Sequence, residues 1–287
     1  MGMQINTNLA ANNTYRNLNA TQNDLSKSLE KLSSGLRINR AADDAAGLSI
    51  SEGLRSQVGG LTVAARNAQD GISVVQTAEG ALTEVHSILQ RVRDLAVQAG
   101  NDSNNADARK AIGTEVSALS KELTRLGSST NFNGINLLDT TDKTLTFQVG
   151  AGSAKANDQI DVKLTNVVTV GTAIGAIADA VSDPATPAAG LGSAADALLA
   201  IKSIDEQIKN VSSARSELGA VQNRFEHSIA STNVAKENLT AAQSRIRDVD
   251  MAEEMVKYTR SNVLSQAGTA MLAQANQSTQ GVLSLLR

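Results

Sequence analysis

Leu18, Leu25, Leu29, Leu32 and Leu36 follow one another at steps of seven, four, three and four residues, and Leu264, Ala267, Met271, Ser278, Val282 and Leu285 keep the same seven-residue frame near the other end. An apolar stripe this narrow is a coiled-coil seam, not the broad face of a globular helix. Neither terminal segment has neighbouring sequence that could cover its seam. The two ends must therefore pair with each other, with other copies of the chain, or with both. Such ends are expected to order only on incorporation into an assembly.

The same period runs through the middle of the chain. Leu54, Val58, Leu61, Ala65, Ala68, Ile72 and Val75 alternate four and three, and after an extra three-residue step to Ala78 the series resumes through Leu82, Val85, Leu89, Val92 and Ala96. The doubled three-residue step is a stammer, which overwinds the pairing locally. About 55 residues of helix would be roughly 80 Å long, a rod well beyond globular helix lengths. Gly53, Gly59, Gly60, Gly71 and Gly80 interrupt it, each at about 1 kcal/mol relative to Ala. They admit two readings: close packing of neighbouring helices, or a rod left marginal so that assembly completes it.

Gly100-Asn101-Asp102 ends that helix, and Ile112, Val116, Leu119, Leu123 and Leu126 mark a second one returning antiparallel to it. A turn follows at Asn133-Gly134. Leu145, Phe147 and Val149, then Ile160, Val162 and Leu164, alternate with polar residues and predict the two strands of a β-hairpin. Val167 to Gly192, rich in small residues with Pro184 and Pro187, reads as the least structured stretch. A third long helix starts at the cap formed by Ser193 and Asp196. It repeats Leu218, Phe225, Thr232, Leu239 and Ile246 every seven residues, then passes through Asp248-Val249-Asp250 into the terminal helix.

The expected fold is mainly α: long antiparallel coiled-coil helices with one small β-hairpin. The terminal coiled-coil region is formed by 1–42 and 250–287, a helical rod by 43–166 and 193–249 with its hairpin at about 133–166, and a short linker by 167–192.

Composition removes most chemistry. The 287 residues contain no cysteine, which excludes disulfides and thiolate sites, and aromatics are only 2%, which leaves no large aromatic core. A net charge of -3 without a basic stripe argues against nucleic acid, and no long apolar run suggests a membrane span. The N-terminus has no basic-then-apolar signal-peptide pattern, so export is expected by another route. His86 and His227 sit on separate predicted helices without a zinc-protease spacing, and no phosphate loop or nucleophile elbow is present. Asp43-Asp44 and Asp248/Asp250 are better read as helix starts than as paired catalytic carboxylates. Asn12, Asn19 and Asn101 begin N-glycosylation patterns, too short to choose a site. The chain is not expected to be an enzyme or to hold a cofactor or metal.

Both ends resemble bacterial flagellin. Ile5-Asn6-Thr7-Asn8, Leu32-Ser33-Ser34-Gly35-Leu36-Arg37-Ile38-Asn39 and Ala41 to Leu48 carry the N-terminal likeness, and Ser231-Thr232-Asn233, Ala241 to Ala252 and the ending Leu283-Ser284-Leu285-Leu286-Arg287 the C-terminal one. The resemblance implies a filament subunit, in a short form without substantial outer domains. It is expected to leave the cell through the flagellar type III channel without a cleavable signal peptide, and to lie in the extracellular filament. The termini would form an inner tube packed by Leu18, Leu25, Leu29, Leu32, Leu264, Met271, Val282 and Leu285. The implied partners are further copies of itself, an export chaperone, the filament cap and junction proteins.

Leu89 to Ala96 is similar to the family's contact motif for Toll-like receptor 5, which places Gln90, Arg91, Val92, Arg93, Asp94 and Leu95 at a receptor or inter-subunit surface; by position, Glu115 on the following helix is expected to join it. Asp94 departs from the commoner Glu, which shortens that contact. Without the receptor, Arg91 and Asp94 would be an ordinary i,i+3 pair on a solvated face. The alternatives are a hook–filament junction protein, which shares these ends, and a type III translocator or effector. The latter would want a basic amphipathic face that the chain lacks.

Overall fold

The computed structural model describes residues 8–140, 143–179 and 190–285, with the side chains of 278–285 outside that description. Among the described residues, seven helices and four short strands follow in the order α1 (Leu9–Ser34), α2 (Ala45–Ala99), α3 (Ala106–Ser129), β1 (Asn131–Phe132), β2 (Ile135–Asn136), β3 (Lys143–Gln148), α4 (Lys155–Asp158), β4 (Gln159–Leu164), α5 (Val167–Asp179), α6 (Ala194–Arg247) and α7 (Met251–Leu285). The chain divides into two compact units. One joins the chain's two ends, through Val58 and from Glu237, and the other runs from Gly59 to Lys236.

In the central unit the seven-residue pattern becomes the core. Val75, Leu82, Leu89 and Val92 of α2 are buried with Val116 and Leu123 of α3. From α6, Ile204, Val211, Leu218 and Phe225 join them at intervals of seven. The stammer is accommodated without a break: Ile72, Val75 and Ala78 are all buried and α2 continues through them. α2 and α6 lie antiparallel, as the pairs Arg93–Asp205 at 2.7 Å and Glu79–Arg215 at 4.0 Å require. The cap at Ser193 forms, with the Asp196 N–H donating to Ser193 Oγ at 3.2 Å and that hydroxyl donating to Asp196 Oδ2 at 2.6 Å.

Two of the five glycines that interrupt the rod mark close packing. A Cβ on Gly71 would stand 2.7 Å from the Phe225 ring, and one on Gly60 would stand 2.9 Å from Ala151 Cβ. Gly53, Gly59 and Gly80 meet nothing within 4 Å.

Two hairpins stand where one was expected. β1 and β2 pair antiparallel around Asn133 (φ 51) and Gly134 (φ 76), the doubly positive φ of a tight hairpin turn. β3 and β4 pair separately over six residues, with Leu145 opposite Val162 and Phe147 opposite Ile160. Phe147 meets Phe225 edge-to-face, ring centroids 5.5 Å apart, which seats this hairpin on α6.

The stretch read as a linker is corrected at its start. Val167–Asp179 forms α5, with Val167, Val170, Gly171, Ile174, Ile177 and Ala178 buried along one face. A Cβ on Gly171 would lie 2.5 Å from Thr124 Oγ1, and one on Gly127 of α3 would lie 3.0 Å from Val168 Cγ2. The small residues that looked like loop composition let two helix backbones approach closely. Residues 180–189, including Pro184 and Pro187, lie outside the described residues.

In the terminal unit α1 packs along α7. α1 starts on the Asn8 cap and stops at Gly35, whose φ of 72 suits only a residue without a Cβ, its N–H closing onto Lys31 O. The connectors on either side hold one another. Arg37 N–H donates to Arg247 O at 2.6 Å, Val249 N–H to Gly35 O at 3.1 Å, and Arg37 Nε to Ile246 O at 3.2 Å. The N–H of Arg40, with that of Asn39, donates to the Asp43 carboxylate and holds it below the ordinary carboxylate range. This stabilisation is complete above the ordinary carboxylate value and fades as pH falls through the lowered one. Asp44 and Asp250 cap α2 and α7, accepting from the N–H groups of Gly47 at 2.8 Å and Ala252 at 2.9 Å.

Gly71→Ala is expected to destabilise the free chain by about 1–3 kcal/mol through overpacking against Phe225. Gly80→Ala should stabilise it by about 1 kcal/mol, since the helix gains and nothing is displaced. Urea unfolding of the two variants checks both signs.

Candidate functional site

The α1–α7 pair buries an unexpected set of side chains. On α1 the inward positions are Ala11, Thr14, Leu18, Thr21, Leu25, Ser28 and Leu32. On α7 they are Glu254, Tyr258, Ser261, Ser265, Gly268, Leu272 and Ala275, again at four and three. Glu254 is only 5% exposed, beside Lys257 Nζ at 3.7 Å, and Ser28 is buried with it. Gly268 lets Leu18 approach: a Cβ there would stand 3.2 Å from Leu18 Cδ1. At the far end Asn8 Nδ2 donates to Ala275 O at 3.0 Å.

Large apolar side chains of α7 are left exposed. Val256 is 61% exposed, Val263 59%, Leu264 52% and Met271 60%. Met255, Val256, Thr259, Arg260, Val263 and Leu264 bound a shallow depression. Leu264 and Met271 border a groove beside the seam with Thr14, Leu18 and Thr21 of α1, while the small and polar side chains fill the seam itself. On α1, Leu18, Leu25 and Leu32 are half-buried while Leu29 is exposed. The side chains of Val282 and Leu285 lie outside the described residues. Each large apolar side chain left in water forgoes about 1.5–3 kcal/mol of burial, so several on one helix are a reserve of order 10 kcal/mol before ordering costs. Sequence periodicity found the apolar stripe but not the polar seam, although Glu254, Ser261, Gly268 and Ala275 also recur every seven residues.

A second, charged surface lies on the central unit. Arg91 does not pair with Asp94; its guanidinium reaches across to Glu115 on α3, Nη2 to Oε1 at 2.7 Å. Arg93 bonds Asp205 on α6 at 2.7 Å, and that hydrogen bond, then the carboxylate's charge, raises the guanidinium further above its ordinary range. Gln90 meets the His86 ring at 3.0 Å, and Asp94 is exposed. Val92 and Leu95 are buried among the core residues, so they support this surface from beneath and do not present it. Asp205 escaped sequence reasoning because it sits 112 residues from Arg93, and only the antiparallel register of α2 and α6 joins them.

Among the described residues no group of His, Cys, Asp and Glu could hold a metal ion, and no helix is long and apolar enough to cross a membrane. The carboxylates that the sequence singled out serve the backbone: Asp44 and Asp250 cap helices and Asp43 braces a connector.

Comparison with known proteins reaches both ends of the chain. Residues 5–143 match the bacterial flagellin N-terminal helical region and residues 201–286 the bacterial flagellin C-terminal helical region. A flagellin of Halalkalibacterium halodurans is 52% identical over 285 residues, spanning 99% of this chain and all of that protein. A flagellin of Bacillus subtilis is 50% identical over 311 residues with the same coverage. The structure of a Vibrio parahaemolyticus protein assigned as flagellar hook-associated is 14% identical, with a TM-score of 0.57 over 72% of this chain and all of that one, and bears on the fold alone.

The Arg91–Glu115 pair is solvent-screened, and such pairs add little net stability. Glu115→Ala should therefore leave the melting temperature within about 2–4 °C of the parent chain, which calorimetry checks.

Proposed function

Because this chain belongs to the bacterial flagellin family and is a structural subunit of the flagellar filament, not an enzyme, we propose that copies join through the outward apolar face of α7. The observation that carries this reading is the inversion of the terminal pair. Glu254, Ser261 and Gly268 face α1, while Val256, Val263, Leu264 and Met271 stand in water. A helix that keeps its apolar side free within the subunit has kept it for a neighbour. The contact is heterologous, one patch on a different patch of the next copy, which propagates an open helical polymer instead of closing a ring. Residues 1–42 and 250–287 then line the inner tube, the lattice supplying the burial that the single subunit withholds. Full-length likeness to flagellins favours this over the junction adaptor.

The subunit travels through the flagellar type III channel, met by an export chaperone, and is placed between cap and junction proteins; the family resemblance supports each of these. The free subunit is also recognised by Toll-like receptor 5. Exposed Gln90, Arg91 and Asp94 on α2 with Glu115 on α3 support that surface, braced by the Arg93–Asp205 bridge.

Leu264→Asp is expected to abolish seeded polymerisation while central-unit helicity persists, read by negative-stain electron microscopy and circular dichroism. Filaments of ordinary length from this variant would sink the α7 assignment. Arg91→Ala with Glu115→Ala should weaken receptor activation by the monomer about tenfold, the scale of about 1.4 kcal/mol of lost contact. An unchanged dose response in a receptor reporter assay removes that surface from the reading.

A further inference from the structure

We propose that the thioether sulfurs of Met251, Met255 and Met271 are a modification site, at which oxidation by hydroperoxides prevents a free subunit from joining the filament. The inference rests on the reading that the outward face of α7 joins copies. Its starting point is where the sulfur lies. The chain has five methionines and no cysteine, so thioether sulfur is the softest nucleophile it offers. Met1 and Met3 lie outside the described residues, and the other three are all exposed and all on α7. The central core, by contrast, is filled by Leu, Ile, Val, Ala and Phe225, without a methionine. Met255 edges the apolar depression with Val256, Val263 and Leu264. Met271 lies with Leu264, Ala267 and Gly268 along the groove against Leu18.

The chemistry needs nothing from the protein beyond access. A sulfur lone pair attacks one oxygen of hydrogen peroxide. The S–O bond forms as the O–O bond breaks, and the departing hydroxide takes the proton from the oxygen now on sulfur and leaves as water. Sulfur gives up two electrons and the peroxide accepts them. The product sulfoxide is polar, a strong acceptor where the surface presents apolar atoms. A neighbour closing over it would bury an acceptor without a donor. Reduction by a methionine sulfoxide reductase with a dithiol reverses the step, the dithiol becoming a disulfide and the oxygen leaving as water. Once a copy is seated the sulfurs are covered, so the site belongs to the free subunit and closes on assembly. Methionine also suits the contact while reduced, because its flexible side chain adapts to a partner that repeats at several lattice positions.

The test treats the full-length monomer with hydrogen peroxide, maps oxygen addition by peptide mass spectrometry, and measures the critical concentration for seeded polymerisation. Oxygen is expected at Met251, Met255 and Met271, with a rise in critical concentration of about tenfold or more and helicity retained. Reductase and dithiol should restore assembly, and filaments formed before the peroxide should keep their thioethers. The triple variant Met251→Leu, Met255→Leu, Met271→Leu keeps Met1 and Met3, and is expected to assemble with and without peroxide. Loss of assembly by the treated triple variant, or ordinary assembly of fully oxidised parent chain, overturns the proposal. If the triple variant fails to assemble untreated, reductase rescue of the oxidised parent chain decides alone: recovery supports the proposal and no recovery overturns it. The reading beneath is tested apart, since assembly of unoxidised Leu264→Asp refutes the α7 contact itself, whatever the methionines do.

Discussion

The inward turn of Glu254 sets the character of the terminal unit. A carboxylate at a helix seam, with Ser28 buried beside it and Lys257 close by, gives up apolar burial to fix which faces meet. Were α7 rotated to bring Val263 and Leu264 against α1, Glu254 would go to water and the pair would gain apolar contact. It would then have nothing left for a neighbour. The polar seam fixes which faces of the two helices meet, in the way that a single polar residue fixes partner and register in coiled coils. The cost falls on the isolated chain, whose terminal pair is held by small residues, a few half-buried leucines and the Asn8–Ala275 hydrogen bond.

The central unit solves the opposite problem. Its helices bury leucine, valine and isoleucine on one another, and a single aromatic stack, Phe147 on Phe225, ties the long hairpin to them. This unit completes its own core, and Arg91–Glu115 and Arg93–Asp205 cross between helices on its surface. One chain therefore carries both regimes, a finished core and an unfinished seam, on the same seven-residue period.

That shared period explains what could be read from sequence and what could not. The long helices α2 and α6 were legible because large apolar residues at fours and threes admit one arrangement, and their caps follow from Ser193 and Asp44. α5 was hidden because Gly171 and its neighbours look like loop composition until α3 supplies Gly127 and Thr124 to pack on. In α7 both frames were present, and hydrophobicity pointed to Leu264 and Met271. Only the partner helix shows that this stripe is free. The charged surface was half legible. Arg91, Arg93 and Glu115 were found, but long side chains choose partners across helices, so Arg91 takes Glu115 over Asp94 and Arg93 takes a residue far along the chain.

The hydrogen bond from Asn8 to Ala275 joins residues 267 apart in sequence. Closing a loop of that size costs conformational entropy that grows with the logarithm of its length, about 0.6 kcal/mol for each doubling. Folding of α2 against α6 first, antiparallel and self-sufficient, removes most of that free length. Contacts between α1 and α7 are then the last to become affordable in time, since local pairings form before distant ones. A chain that folds in that order passes through a state with a finished middle and two unpaired tails. The order of events in its folding is written into the separation of two residues that touch.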